Sequence, residues 1–323
     1  MRERKPVNID FVGHRKIYFM ISAILFAVII LSTFIFGVDL DIRFKGGTIL
    51  TYSYQGEISN DDVEKAAEDV LNRNVSVEDK FNKLTGENEV SITLVDENSL
   101  DTQLQGQLTE TLTQQFADYN MKEMEITSVN PNIGREFFLK CMLAVGFGSI
   151  FMIVYIGLRF KRIGGWSAGV MAVLALFHDV VVVYGTFILC RLPLDDSFIA
   201  VVLTILGYSI NNTIVIYDRI RENKVFYAKT KTLGDIVNLS INQTLARSMN
   251  TSIATILSMV VVCVVALVCG INSIISFAFP LITGLISGTY SSICIASEAW
   301  VSWQMRGDNK SSQAKRTPAK RKA

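Results

Sequence analysis

Six apolar runs divide this chain, at about residues 17–36, 137–158, 165–189, 197–217, 250–270 and 274–303. Each is about as long as, or longer than, the ~20 residues a helix needs to cross a ~30 Å hydrocarbon core. Lipid offers no partner for backbone amides, so segments of this kind must satisfy their own hydrogen bonds and read as helices. The last run is long enough to need trimming or tilt. Connections as short as 191–196 and 270–273 make neighbouring spans antiparallel. The first run follows Arg15 and Lys16 and superficially looks like a secretory signal. Its length, and the lack of a clear small-residue cleavage motif at its end, make it a retained span.

Half of the residues are hydrophobic and 19% are charged. That mixture points to a membrane protein carrying a soluble domain. The formal net charge of +1 conceals a strong segregation. Residues 37–136 hold 20 acidic side chains against 8 basic ones, a net of −12, whereas both ends of the chain are basic. Lysine and arginine near span ends set orientation. Arg2, Arg4, Lys5, Arg15 and Lys16 lie on one side. Six crossings bring Arg159, Lys161, Arg162, the 218–249 segment and the C-terminal tail to that same side, while the opposite short loops hold only Arg191. The expected organisation is a cytoplasmic N-terminus at 1–16, a first span at 17–36, an extracytoplasmic domain at 37–136, a five-span bundle at 137–303 with a cytoplasmic loop near 218–249, and a basic cytoplasmic tail at 304–323. The last seventeen residues have the composition of a disordered tail. All five cysteines (Cys141, Cys190, Cys263, Cys269 and Cys294) fall in apolar runs, which argues against a disulfide framework, and none has metal-ligand spacing.

The outer segment reads as a compact α/β unit. Residues 47–55 alternate as a strand, and Ser59 to Asp62 open a helical pattern in a capping-box arrangement. Strand candidates at 75–79 and 89–95, a helix over 99–119 and a strand at 123–129 complete the order βαββαβ. That order suggests a ferredoxin-like split βαβ domain, an arrangement shared by many modules of unrelated function.

Polar residues inside the spans carry the candidate chemistry. Thr204, Tyr208 and the Asn211/Asn212 pair recur every three to four residues on the fourth span. Arg247, Thr251, Thr255 and Ser258 do the same on the fifth. Two such stripes, if facing, would build a hydrated seam; the alternative is that the hydroxyls and amides only hold helices together, at about 0.6–2 kcal/mol per contact. Arg247 stays charged and needs a carboxylate, carbonyls or water if it is within the membrane, or an interfacial position to which it can snorkel. His178 and Asp179, near the middle of the third span, fit either an ionisable pair or a structural hydrogen-bond clamp. Asp218, Arg219, Arg221 and Glu222 mark a solvated helix end, and Thr232 to Asp235 form a second capping-box pattern. Gly165/Gly169 and Gly284/Gly288 permit close helix contacts. Phe44-Lys45-Gly46-Gly47-Thr48 suggests a tight turn into the first strand, since it lacks the phosphate-loop pattern. Pro131 and Gly134, returning the chain to the bilayer, allow a hinge or a rigid turn. No nucleophile triad, metal cluster or nucleotide loop stands out, so an enzyme is not expected.

The run from Gly207 to Asn223 resembles the signature of the SecF family, the smaller half of the SecD/SecF accessory complex of the bacterial protein-export channel. So do Phe44–Thr48, Leu245–Ser252 and, less closely, Ser128–Gly134. The resemblance extends over almost the whole chain. It implies the six-span membrane fold of the RND transporter superfamily, in the bacterial cytoplasmic membrane, with a SecD-like subunit supplying six further spans. It also implies partnership with the Sec channel, a YajC-like subunit, the translocating polypeptide and lipid, and no nucleic acid. The implied role is late export driven by the proton or sodium gradient, with no cofactor. Arg247 matches an arginine essential to the family, and a His-Asp pair is expected at 178–179. The family usually has an aspartate, implicated in ion coupling, where this chain has Asn212. The alternatives are a scaffold for SecD without ion coupling and half of an RND-type small-molecule exporter; the outer domain is small for the latter.

Overall fold

The computed structural model of the chain describes residues 9–82, 87–94 and 100–305. Six of its helices are long and apolar enough to cross a membrane: α1 (Arg15–Phe36), α5 (Pro131–Arg159), α6 (Gly165–Leu189), α7 (Asp196–Tyr227), α8 (Leu233–Cys269) and the last segment. That last segment is α9 (Asn272–Ser291) followed by a π turn at Ser292–Ala296 and further helix, spanning Ser273–Met305 in all. The basic tail and the disorder expected of it lie outside the described residues from 306 onward.

Several helices outrun their apolar stretches. The stretch expected to be a cytoplasmic loop at 218–249 is mostly helix: α7 continues to Tyr227 and α8 starts at Leu233. Charged residues at three-residue spacing support α7 beyond the lipid, with Arg221 paired to Asp218 at 2.7 Å and Arg219 to Glu222 at 2.7 Å. Leaving hydrocarbon removes the need for apolar side chains but not the helix. Thr232 starts α8 through a complete capping box with Asp235. The first turns of α8 then hold the N-terminal segment, with Asn238 Oδ1 accepting from the Phe11 amide at 2.8 Å and Asn242 Oδ1 from the Ile9 amide at 2.9 Å.

The outer unit contains a four-stranded antiparallel sheet in the order β2-β3-β1-β4, formed by β1 (Gly47–Tyr54), β2 (Ser76–Asn82), β3 (Glu87–Leu94) and β4 (Lys122–Val129). Helices α3 (Asn60–Leu71) and α4 (Thr102–Gln115) join the strands. Alternation along β1 buries Leu50, Tyr52 and Tyr54 together with Val63 and Ala67 of α3 and Leu108 and Leu112 of α4. Tyr52 shares a hydrogen bond with Thr109 at 3.0 Å, and burial pushes its phenol up to about 12. The capping box expected at Ser59 does not form. Its carbonyl, rather than its side chain, takes the amides of Asp62 and Val63.

Two contacts seat this unit on the bundle. Asp41 caps the single-turn helix α2 (Ile42–Lys45), whose Phe44 ring lies 5.8 Å from Phe137 and 5.4 Å from Phe138 of α5. Gly134 faces the backbone of that turn so closely that a Cβ would lie 3.1 Å from the carbonyl oxygens of Arg43 and Phe44. The return to the bilayer is therefore a packed turn, with Pro131 at the start of α5. On the other side, Leu40 bridges Leu194, and Arg43 forms an ion pair with Asp196. Asp195 caps α7 beside it. Burial raises its carboxyl, against hydrogen bonds from Ser197 and Phe198 that lower it.

Candidate functional site

The centre of the bundle is built on Asp179. It sits midway along α6 with no exposed surface. Ser287 donates to Oδ1 at 2.6 Å, while Ser209 and Ser291 donate to Oδ2 at 2.8 and 2.7 Å. His178 places Nδ1 3.3 Å from Oδ1, and its Nε2 has no hydrogen-bond partner among the described residues. Its ring lies against Phe26 of α1 and Tyr290 of α9, with centroids at 5.3 and 5.9 Å. Ser287 and Ser291 reach one carboxylate because positions four apart share a helical face. Gly288 lets α7 and α9 close around it, since a Cβ there would come within 3.1 Å of the Ser209 Cβ. The result is a charge-capable group with a full set of donors in a low-dielectric interior, the condition under which a buried carboxylate is tolerated.

A second polar layer lies between α7, α8 and α9. Asn212 is 3% exposed and donates to Ser252 Oγ of α8 at 3.4 Å, and Thr289 of α9 donates to the same oxygen at 2.8 Å. Ser209 also approaches Ser292 at 3.4 Å, and Thr213 donates to Ser292 at 3.1 Å. The layer can order helices and hydrogen-bond a ligand, but an amide and hydroxyls cannot carry a titrating proton near neutral pH.

The stripes read from the sequence occupy a different surface. Thr204 and Asn211 are exposed, and Tyr208 is half-buried, its hydroxyl without a hydrogen-bond partner among the described residues. On α8, Arg247, Thr251 and Ser258 are exposed and Thr255 is half-buried. The hydroxyls of Thr204, Thr251, Thr255 and Ser258 each donate to a carbonyl of their own helix four residues back. The expected seam between the two stripes is thus not formed within this chain, because both turn away from the α6–α9 core. Asn212 alone faces inward, and it meets Ser252, which lies off the α8 stripe. Arg247 has no ion pair among the described residues. Phe44, Lys45, Gly46, Gly47 and Thr48 stand apart from this core, in the turn that leads into β1, and all but Lys45 are buried. Lys45 pairs with Asp39 at 3.2 Å, Gly46 and Gly47 take φ of 82° and 144°, and Thr48 meets Ser128 at 3.0 Å.

Sequence reasoning did not single out the serines and threonines that organise the core, Ser209 and Thr213 of α7, Ser252 of α8 and Ser287, Thr289 and Ser291 of α9, although Ser209, Thr213 and Ser252 lie inside the two runs it marked. It also missed Glu298, a fully buried carboxyl in the last apolar run, although an ionisable residue within a spanning segment is itself a signal.

Residues 108–306 match the family model of the protein export membrane protein SecD/SecF, C-terminal. The chain is 32% identical to a protein translocase subunit SecF of Sebaldella termitidis, over 88% of each chain. It is 33% identical to one of Rhodothermus marinus, over 95% of this chain and 96% of that one. Among solved structures, a Thermus SecDF, described as a translocon-associated membrane protein, superposes with a TM-score of 0.76 at 29% identity. That match covers 93% of this chain and 39% of the SecDF chain. With six spanning helices, matching motifs and relatives aligned over nearly their whole length, the chain belongs to the SecD/SecF family of protein-export membrane proteins.

Proposed function

We propose that this chain is the SecF-type half of a Sec-translocase accessory complex, which joins a SecD-like subunit and uses a transmembrane proton or sodium gradient to promote late export of secretory polypeptides. The observation that carries the reading is the outward placement of Arg247 with Thr251 and Ser258 on a membrane-spanning helix. A guanidinium and hydroxyls on an outward face of a spanning helix are satisfied by protein or water and not by lipid, so this face calls for a polar partner. The SecDF relative supports the nature of that partner, because this chain matches 39% of a longer chain that carries the name of both halves. In this reading both termini are cytoplasmic, the membrane is the bacterial cytoplasmic membrane, and the Sec channel, a YajC-like subunit and the exported polypeptide are further partners. The outer unit is a ferredoxin-like split βαβ domain of an RND-type protein, a reading supported by the β2-β3-β1-β4 order with two connecting helices. No step requires catalysis by the chain.

Asn212 shapes the coupling scheme. Without a carboxylate there, coupling rests on a carboxylate from the SecD-like subunit working against Arg247, with Asn212 holding α8 through Ser252. The test compares ion-dependent export in membranes holding equal amounts of each variant. Arg247→Ala abolishes the ion-dependent part, Asn212→Ala reduces it less, and Asn212→Asp alters its pH or sodium dependence. Full ion-dependent export by Arg247→Ala would favour the scaffold role instead.

A further inference from the structure

The last spanning segment carries a second buried carboxyl that the site around Asp179 does not use. Glu298 is 0% exposed and neither of its carboxylate oxygens has a hydrogen-bond partner among the described residues. An isolated ionised carboxylate in low dielectric is so costly that the group exchanges its charge for a proton or takes a counter-ion. Asp179, at the same burial, has three hydroxyl donors, so lack of room for donors in such a bundle does not explain their absence at Glu298.

Its surroundings form a line between a surface cavity and the bundle centre. One turn further along, Ser302 lines a cavity of about 520 Å³ together with Arg15 and Lys16. The ionisable groups in electrostatic reach of Glu298 are Arg15 and Asp10 from the N-terminal side, Tyr18 of α1, and Cys294 one turn back. The α6 side contributes Met171 at the cavity and Ala175 against Ile295 and Ala296, none of which titrates, and the α7 side contributes Tyr217, whose hydroxyl donates to the Ala296 carbonyl at 3.3 Å. Towards the centre, Tyr290 donates to the Tyr18 carbonyl at 2.8 Å, and its ring lies 5.9 Å from that of His178, whose Nε2 has no partner among the described residues. His178 in turn reaches Asp179. The seven to eleven residues between Glu298 and the serines that hold Asp179 correspond to roughly 10–17 Å of helix. The π turn at Ser292–Ala296 lies between them, a helix defect frequent at functional sites.

We propose that Glu298 is a proton-binding site inside the bundle, loaded from the cavity beside Arg15 and Lys16 and standing between that cavity and the His178–Asp179 pair. In uptake, hydronium gives its proton to one Glu298 oxygen and leaves as water; in release, water takes the proton back. The assignment deepens the ion-coupling reading and rests on it only for the use made of the proton.

The test is infrared difference spectroscopy on the full chain in lipid vesicles, across a pH step in water and in deuterium oxide. The expected result is a pH-dependent carboxylic-acid carbonyl band, shifted by deuterium, that is lost in Glu298→Gln and displaced in Glu298→Asp. Identical difference spectra for wild type and Glu298→Gln would overturn the proposal. So would a carboxylic-acid band in the absolute spectrum that is lost in Glu298→Gln yet has no counterpart in the pH-step difference spectrum, which would mark a permanently neutral acid. Where Glu298→Gln does not fold, Glu298→Asp decides: a displaced band supports the site and an unmoved one rejects it. Export plays no part in this readout, so coupling through Arg247 and proton binding at Glu298 fail or stand separately.

Discussion

Asp179 and Glu298 have the same burial, yet one accepts three hydroxyl hydrogen bonds and the other none. The difference comes from which helix face each meets. Asp179 looks into the α7–α9 contact, where small residues bring hydroxyls within reach. A hydrogen bond to a charged group contributes more than one between neutral groups, and a buried acceptor left short of donors carries a penalty of about 1–3 kcal/mol. Ser287→Ala and Ser291→Ala are each expected to destabilise the folded bundle by about that amount, and the double variant by more than either. Unfolding in mixed detergent with rising dodecyl sulfate measures this; midpoints equal to wild type in all three variants would mean that the clamp contributes nothing. The His178–Asp179 pair is visible in the sequence as an ionisable couple inside a span. Its donors are not, because Ser209, Ser287 and Ser291 lie 30, 108 and 112 residues away. Serines are ordinary in apolar helices, so nothing marks Ser287 and Ser291, and Ser209, although inside the Gly207–Asn223 run, carries no sign of which carboxylate it serves.

At the scale of elements, the spans and their antiparallel order are legible because apolar length is a strong signal. Helix ends are less so. The Thr232–Asp235 cap is readable as a hydroxyl three residues before a carboxylate, a local pattern that closes reciprocally there and does not at Ser59–Asp62. The onward run of α7 to Tyr227 is hidden by the charges of 218–222, which end an apolar pattern without ending a helix. Glycines in the spans allow close contact, and their neighbours in the fold rank them. A Cβ on Gly169 would lie 2.9 Å from the Ile153 carbonyl oxygen, a backbone atom that cannot step aside, while one on Gly146 meets nothing within 4 Å. Gly169→Ala should therefore push α5 off α6 and cost about 1–3 kcal/mol, in the range of overpacking, and Gly146→Ala should be close to neutral. The same unfolding assay compares them, and equal midpoints for the two variants would contradict the close approach of α5 to α6 at Gly169.

For the whole molecule, the question is which side of the bundle meets another subunit. α1 and α5 expose broad apolar surfaces, with Leu143, Phe147, Ile150 and Phe151 of α5 all strongly exposed. Such a surface is at home in lipid, where apolar side chains gain little from leaving it. The α7–α8 side differs, because Thr204, Asn211, Arg247, Thr251 and Ser258 are exposed among apolar neighbours. The sequence reveals both stripes but not that they look outward, since periodicity fixes a shared face and says nothing of what that face meets. Polar groups at membrane depth are satisfied by protein or by a water-filled path, so the partner subunit should cover α7–α8 and leave α5 to lipid. A photoreactive residue at Ser258 or Thr251 is then expected to crosslink to the SecD-like subunit in native membranes, while one at Phe147 or Phe151 yields lipid adducts only. The outer unit adds an independent check on the same assembly. Arg43 of α2 pairs with Asp196 at the start of α7, so the unit is tied to the helix that carries half of the polar side. Arg43→Ala should loosen that tie, raising protease sensitivity of residues 39–45 without changing the crosslinking yield at Ser258. A subunit adduct at Phe147 with none at Ser258 would place the partner on the opposite side and leave the outward Arg247 without a protein counterpart.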